Sequence, residues 1–88
     1  MNVREAVALA KKYISELFAD EPIGELGLEE VDFDSGSQTW MITIGFVRNW
    51  RDRGGIHAFA PISREYKVIQ ISDVDQKMLS VKNREPVS

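Results

Sequence analysis

The sequence predicts an α+β fold in which one amphipathic helix packs on a four-stranded antiparallel meander sheet, in the order α-β-β-β-β. Apolar residues recur at helical spacing near the start of the chain, and later they alternate at strand spacing between turn signals. The chain has 88 residues, and parallel strands would need crossovers that this length does not provide. We expect one domain over residues 1–84 and a frayed tail over residues 85–88.

The opening segment predicts a helix over residues 2–19. Its apolar residues form one stripe wide enough to face a core: Val3, Ala6, Val7, Ala10, Tyr13, Ile14, Leu17 and Phe18. Asn2 can cap the first turn through its side-chain oxygen. We expect Pro22 and Gly24 to end the helix, because proline lacks a backbone N–H and glycine permits a turn.

The next segment, residues 26–34, predicts a strand that contains a bulge. Leu26 and Leu28 have the opposite parity to Val31 and Phe33. A bulge between the second leucine and the valine would place all four side chains on one face of a sheet.

After a hairpin loop at residues 35–37, residues 38–48 give the clearest strand pattern. The even positions carry large apolar residues, which we expect to face the helix: Trp40, Ile42, Ile44 and Phe46. The odd positions carry a smaller, semi-polar set: Thr39, Met41, Thr43, Gly45 and Val47. This odd set predicts an outer sheet face that is either ordinary solvated surface or a contact surface for a partner.

Residues 49–63 predict a long connection, because Gly54, Gly55 and Pro61 interrupt regular structure. The last two strands are predicted over residues 64–72 and 77–84, with the turn at residues 73–76 between them.

The final strand has two possible registers. Leu79 and Val81 face inward in one of them, and Met78 faces inward in the other.

The stretch Trp40–Phe46 and the closing hairpin Tyr66–Leu79 have a pattern similar to that of PepSY-like and cystatin-like domains. A Tyr-x-Val strand leads to a turn that contains aspartate, with Gln76 where glycine is more usual. The chain also resembles small uncharacterised bacterial single-domain proteins that have such a tryptophan strand and hairpin. The resemblance implies a fold; the Gln-x-Val-x-Gly pattern of inhibitory cystatin hairpins is absent, so protease inhibition is not implied.

Charge is distributed unevenly along the chain, whose formal net charge is −3. Residues 13–47 contain no lysine or arginine, but they contain eight acidic residues: Glu16, Asp20, Glu21, Glu25, Glu29, Glu30, Asp32 and Asp34. Such a segment repels phosphates, which weighs against nucleic acid as a partner. It is either a solvated face or a docking surface for a basic partner or a basic patch on a second copy.

No motif predicts catalysis, a metal site or a cofactor. The chain has no cysteine, and His57 is its one histidine, without the sequence context of a catalytic triad. The acidic residues at 29–34 and 73–75 lack the remainder of a calcium loop. Gly54 and Gly55 lack the lysine of a phosphate-binding loop. We therefore expect a protein that is not an enzyme and has no cofactor.

The strongest candidate for a contact surface is a cluster of basic and aromatic residues in and beside the long connection: Arg48, Trp50, Arg51, Arg53, His57, Phe59 and Arg64. Arginine and tryptophan are enriched at interface hot spots. In the alternative interpretation, the aromatic residues fold back on the sheet edge and the arginines are solvated or pair with the acidic strand.

Three functions remain open. The leading hypothesis is a small interaction or accessory domain that self-associates or binds a protein partner through residues 48–64 and the outer sheet face. The second is a binder of single-stranded nucleic acid or another anion through the arginine and tryptophan cluster. The third is a small enzyme with a site between helix and sheet. Any small-molecule ligand is left open.

We expect a cytoplasmic protein with no membrane partner. Charged residues interrupt the N-terminal apolar run, so no signal peptide is predicted, and no apolar stretch is long enough to span a membrane. The absence of cysteine is compatible with a reducing compartment.

Overall fold

The computed structural model describes residues 1–21, 23–48 and 64–84, and its elements follow the predicted order. These elements are α1 (Val3–Leu17), β1 (Ile23–Asp34), β2 (Thr39–Arg48), β3 (Arg64–Ser72) and β4 (Lys77–Asn83). The strands form one antiparallel sheet in the order β1-β2-β3-β4, and α1 packs on one face of it. The predicted α+β architecture is confirmed.

The start of α1 is fixed by a capping box. The Asn2 side chain accepts a hydrogen bond from the backbone N–H of Glu5 at 2.9 Å. The Glu5 side chain accepts one from the backbone N–H of Asn2, also at 2.9 Å. Two N–H groups that the helix itself leaves unpaired are thereby satisfied. The predicted cap at Asn2 is confirmed.

The end of α1 lies earlier than predicted. The helix ends at Leu17, and Phe18 follows it as the C-cap residue with its ring centroid 5.1 Å from that of Phe46 in the sheet. Gly24 lies within β1, so the prediction that it helps to end the helix is wrong, and Pro22 lies outside the described residues. The helix therefore ends where Phe18 packs against the sheet. The residues that were predicted to end it, Pro22 and Gly24, come later in the sequence.

Only the middle of the helical stripe is buried. Ala6, Ala10 and Ile14 are fully buried, but Val3 is 43% and Leu17 is 55% exposed at the two ends of the helix, so the predicted stripe is too long. The two alanines have small side chains, which lets the middle of α1 lie close to the strands. Among the described residues, no helix is long and apolar enough to cross a membrane.

The core lies between α1 and the sheet. Ile42, Ile44 and Phe46 of β2 are fully buried there, and Trp40 packs against the same cluster, as the even-position pattern predicts. Ile69 and Ile71 of β3 complete the buried sheet surface. Burial of each of these large side chains favours folding by about 1.5–3 kcal/mol, and together they fix which sheet face is turned inward.

The predicted bulge in β1 is confirmed. The pairing with β2 shifts between Leu28 and Glu30, so that Leu28 lies opposite Ile44 and Val31 lies opposite Ile42. Both side chains therefore share the sheet face that packs on α1. The strand also begins earlier than the predicted residue 26, at Ile23. A second irregularity in its pairing with β2 lies between Gly24 and Gly27.

In β4, Met78 and not Leu79 faces the core. A shift in the pairing with β3 places Met78 opposite Ile71 and Val81 opposite Ile69. Leu79 lies at the irregularity and is 52% exposed. The first of the two predicted registers is therefore wrong for Leu79, while Val81 packs against the core as predicted.

Candidate functional site

The face of the sheet that points away from α1, here called the outer face, is a surface on which no described helix or strand packs. Antiparallel pairing brings together the odd positions of β2 and the even positions of β3 on this face. Its central residues are Thr39, Met41, Thr43, Gly45, Val47, Tyr66, Val68, Gln70 and Ser72. They are uncharged, and most are half-buried.

Charged residues flank this neutral centre, with opposite signs on the two sides. The acidic strip, from β1, consists of Glu29, Glu30, Asp32 and Asp34. The basic strip, from β4, consists of Lys77 and Lys82, while the guanidinium of Arg84, the residue after β4, reaches across the face to Glu30. The outer face therefore changes from negative to positive across the strands.

The strand register shows this order in single rows. One row across the four strands runs from acidic through two neutral residues to basic: Glu30, Thr43, Val68 and Lys82. A second row, nearer the turns, repeats the order: Asp34, Thr39, Ser72 and Lys77. Because backbone pairing sets the rows, the order of acidic, neutral and basic residues across the sheet is fixed.

Arg64 crosses the outer face from β3 to β1. Its Nε donates a hydrogen bond to Glu29 Oε1 at 2.9 Å, and its two terminal nitrogens donate to the carbonyl oxygens of Glu25 at 2.9 Å and Gly45 at 3.2 Å. A Cβ atom at position 45 would lie 2.7 Å from the Arg64 Nε. Glycine at this position therefore leaves room for the arginine bridge.

Arg84 forms a second bridge across the same face. Its guanidinium contacts the Glu30 carboxylate and donates a hydrogen bond to Thr43 Oγ1 at 3.3 Å. An open depression of about 430 Å³ lies beside this bridge, and Met41 and Val68 contribute to its lining. Polar bridges and apolar side chains thus alternate on the outer face, as they do at many protein interfaces.

The turn after β1 holds Asp34 in its ionised form. Asp34 accepts hydrogen bonds from the Ser37 hydroxyl at 2.9 Å and from the Gly36 backbone N–H at 3.0 Å. The hydrogen bond from the Ser37 side chain, followed by that from the Gly36 backbone, lowers the pKa of this exposed carboxyl below its usual value. The hydrogen bonds of the turn therefore stabilise the carboxylate at the negative end of this row.

Arg48 and Arg64, two members of the predicted basic and aromatic cluster, lie on opposite faces of the sheet. Arg48 lies on the α1 side, 2.9 Å from a carboxylate oxygen of Glu21 and in contact with Glu65, and its guanidinium carbon is 5.1 Å from the Phe18 ring centroid. Arg64 pairs with Glu29 of β1, as the alternative interpretation of the sequence has it, whereas Arg48 pairs with Glu21, which precedes β1, and with Glu65 of β3. The other predicted members lie outside the described residues: Trp50, Arg51, Arg53, His57 and Phe59.

The space between α1 and the sheet is filled by the apolar core, and an opening lies at its margin. This crevice, about 400 Å³ in volume, is lined by Val3, Val7 and Leu28 together with Arg4 and Lys11. Among the residues described by the structure, no group of three or more histidine, cysteine, aspartate or glutamate side chains is placed to hold a metal ion.

Sequence reasoning identified half of the outer face. The alternation in β2 revealed its odd-numbered side chains, but the contribution of β3 and the lysines of β4 was missed. The signal was present in the two-residue period of residues 64–72 and in the contrast between an acidic first strand and a basic last one. Only the strand register shows that these acidic and basic residues lie at opposite ends of the same rows across the sheet.

Comparison with known proteins finds no family model that matches this chain, no similar sequence among curated proteins and no matching solved structure.

Proposed function

We propose that this domain is a non-enzymatic interaction module that self-associates through its outer face. The observation that carries the proposal is a neutral, half-buried centre flanked by one acidic and one basic strip, with no described element packed over it. The centre includes Met41 and Tyr66, and methionine and tyrosine are both enriched at interfaces. Strand pairing already fixes the backbone of this face, so association has only side chains to order.

The size of the outer face supports a reversible dimer. Four strands spaced by about 4.8 Å, with about nine residues of about 3.3 Å each, give a face of about 570 Å². Two such faces would bury about 1,100 Å² in total, which is near the lower limit for specific interfaces. We expect association that depends on concentration within the range of ordinary biophysical measurements.

Three further parts of the proposal rest on the sequence. Residues 48–64 extend the contact surface, because their arginine and aromatic content is typical of interfaces. The proposed relatives are the PepSY-like and cystatin-like domains, from the similarity of the stretch Trp40–Phe46 and the hairpin Tyr66–Leu79 to their pattern. The proposed location is the cytoplasm, which agrees with a chain that contains no cysteine.

The proposal is tested by placing a charge at the centre of the outer face. Val68→Lys introduces an ammonium group at one of the two neutral central positions of its row, where a partner would leave it desolvated and unpaired. We expect the dissociation constant from sedimentation velocity to rise by about tenfold or more. Val74→Lys, at a turn position that is 70% exposed, is the matched control and should leave the dissociation constant unchanged.

Two results would overturn this proposal. One is a wild-type protein that sediments as a monomer at every accessible concentration. The other is a folded Val68→Lys variant, verified by circular dichroism, whose dissociation constant equals that of the wild type.

A further inference from the structure

We propose that two copies of this chain meet face to face about a two-fold axis that runs parallel to the strands. In this arrangement the acidic strip of each copy lies over the basic strip of the other. The inference rests on the proposed self-association, and it adds the orientation of the partner and the charges that select it.

The direction of the axis decides which strands face each other. Two sheets in a closed face-to-face dimer are related by a two-fold axis lying between them. If the axis runs across the strands, β1 of one copy lies over β1 of the other, and four carboxylates face the same four carboxylates. If it runs along the strands, β1 lies over β4 and β2 lies over β3, so opposite charges face each other on both sides.

In this arrangement each row of one copy faces the same row of the other copy in reverse order. Because a row is acidic at one end and basic at the other, opposite charges then meet at both ends. The row of Glu30, Thr43, Val68 and Lys82, read backwards, places a lysine over a glutamate at both ends. The row that begins at Asp34 and ends at Lys77 does the same. The neutral residues of β2 and β3 then meet in the middle. Facing sheets cross at about 30° because each is twisted, and this small angle keeps the ends of a row within reach of long lysine side chains.

Three charges of the two strips are available for a partner. Five ion pairs are found among the described residues, and none of them includes Asp32, Lys77 or Lys82. All three residues are exposed. Glu29 and Glu30, in contrast, are already bridged by arginines within the chain. Contact between the two copies would therefore engage the two lysines, which the chain itself leaves in solvent, and in the row of Glu30 the lysine would join an existing Glu30–Arg84 pair.

Pairing of sheet edges is less favourable than pairing of faces. Two copies joined at β1 would bring their acidic strips together, and the bulged pairing of β1, with Glu25 at a positive φ of 51°, interrupts the regular strand geometry that pairing needs. Joining at β4 brings the two basic strips together. Joining β1 to β4 repeats without closing and gives a chain of molecules. The face-to-face arrangement is closed and pairs opposite charges.

Charge reversal on one strip at a time tests the orientation. Glu29 and Glu30 are bridged by arginines within the chain, so Asp32 and Asp34 carry the unbridged charge of the acidic strip. The double variant Asp32→Lys with Asp34→Lys makes the unbridged charges of both strips positive, and Lys77→Glu with Lys82→Glu makes them negative. Like charges then face each other, and we expect each double variant to dissociate about tenfold or more weakly than the wild type at low salt. The variant with all four changes has the strips exchanged and the wild-type net charge, and it should dimerise again.

A control variant distinguishes the effect of reversing the acidic strip from the effect of changing the net charge. Glu16→Lys with Asp20→Lys changes the net charge as much as the reversed acidic strip does, at exposed positions at and just after the end of α1. Because this change brings the net charge of −3 closer to zero, a general charge effect predicts tighter association for both variants. The proposed orientation predicts weaker association only when the acidic strip is reversed.

Crosslinking gives a second readout that does not depend on the four-fold variant folding. The chain has no cysteine, so Asp32→Cys and Lys82→Cys introduce single thiols on opposite strips. With a short thiol-reactive crosslinker, a mixture of the two variants should give mainly the crosslinked pair of unlike chains, and Asp32→Cys alone should give little product.

The outcomes distinguish the orientation from self-association itself. A wild-type dimer whose affinity is insensitive to both reversals, or in which Asp32→Cys crosslinks efficiently to itself, would overturn the orientation and leave the proposed function in place. A wild-type protein that is always monomeric would overturn both.

Discussion

Gly45 is a residue whose role depends on a contact distant in sequence. Glycine weakens a strand interior, and a Cβ at this position would meet both the Arg64 Nε and the Glu29 Oε1 at 2.7 Å. The sequence places Gly45 on the outer face, but it does not reveal that an arginine from β3 crosses above it. The contact depends on the register between β2 and β3 and on the length of the Arg64 side chain.

Asp34 shows how a local turn sets a carboxyl pKa. The Ser37 hydroxyl and the Gly36 N–H stabilise the ionised form, so the folded pKa lies below the unfolded one. The resulting stabilisation is present above the unfolded pKa and is lost as the pH falls through the folded pKa, in the acid range below about pH 4.

We expect Ser37→Ala to raise the pKa of Asp34 towards its ordinary value, because the hydroxyl donor is removed. An NMR titration of the Asp34 side-chain carbon in both proteins measures the change. Equal pKa values in the wild type and the variant would show that the hydroxyl does not stabilise the carboxylate.

At the scale of single elements, local signals predicted the start of α1 better than its end. Asn2 was identified as a cap, and its partner Glu5 stands at the third helical position that a capping box requires. The end of α1 was missed because it coincides with packing of Phe18 on Phe46, which no local pattern encodes. Tertiary contacts also placed Met78 inward, since one irregular residue in β4 changes the side-chain parity.

The capping box predicts a measurable contribution to stability. Asn2→Ala leaves the Glu5 backbone N–H without its acceptor, and we expect the free energy of unfolding to fall by about 1 kcal/mol in urea titrations. Lys12→Ala, at an exposed position in the middle of α1, is the control and should change stability far less. Equal effects of the two substitutions would argue against the cap.

At the scale of the whole molecule, hydrophobic periodicity was sufficient to predict the two layers. The buried even positions of β2 meet the buried middle of α1, and the predicted number and order of elements is confirmed. The charged rows could not be predicted in the same way. They require the pairing of four strands, including two irregular registers, and each register depends on side chains far apart in sequence.

On the outer face, part of the acidic segment forms ion pairs with basic residues from the second half of the same chain. Glu29 and Glu30 of the acidic segment are bridged by Arg64 and Arg84, which come from the basic second half. The pairs are half-exposed, so each contributes modestly to stability. They hold cationic groups across the face and leave Asp32 exposed at its edge.

NMR of the isotope-labelled protein over a dilution series tests whether the outer face is the surface of self-association. We expect backbone amide shifts to change on dilution for residues such as Met41, Thr43 and Val68, while those of the solvent-facing side of α1 stay constant. Shifts that do not change with concentration, or changes confined to α1, would contradict this expectation.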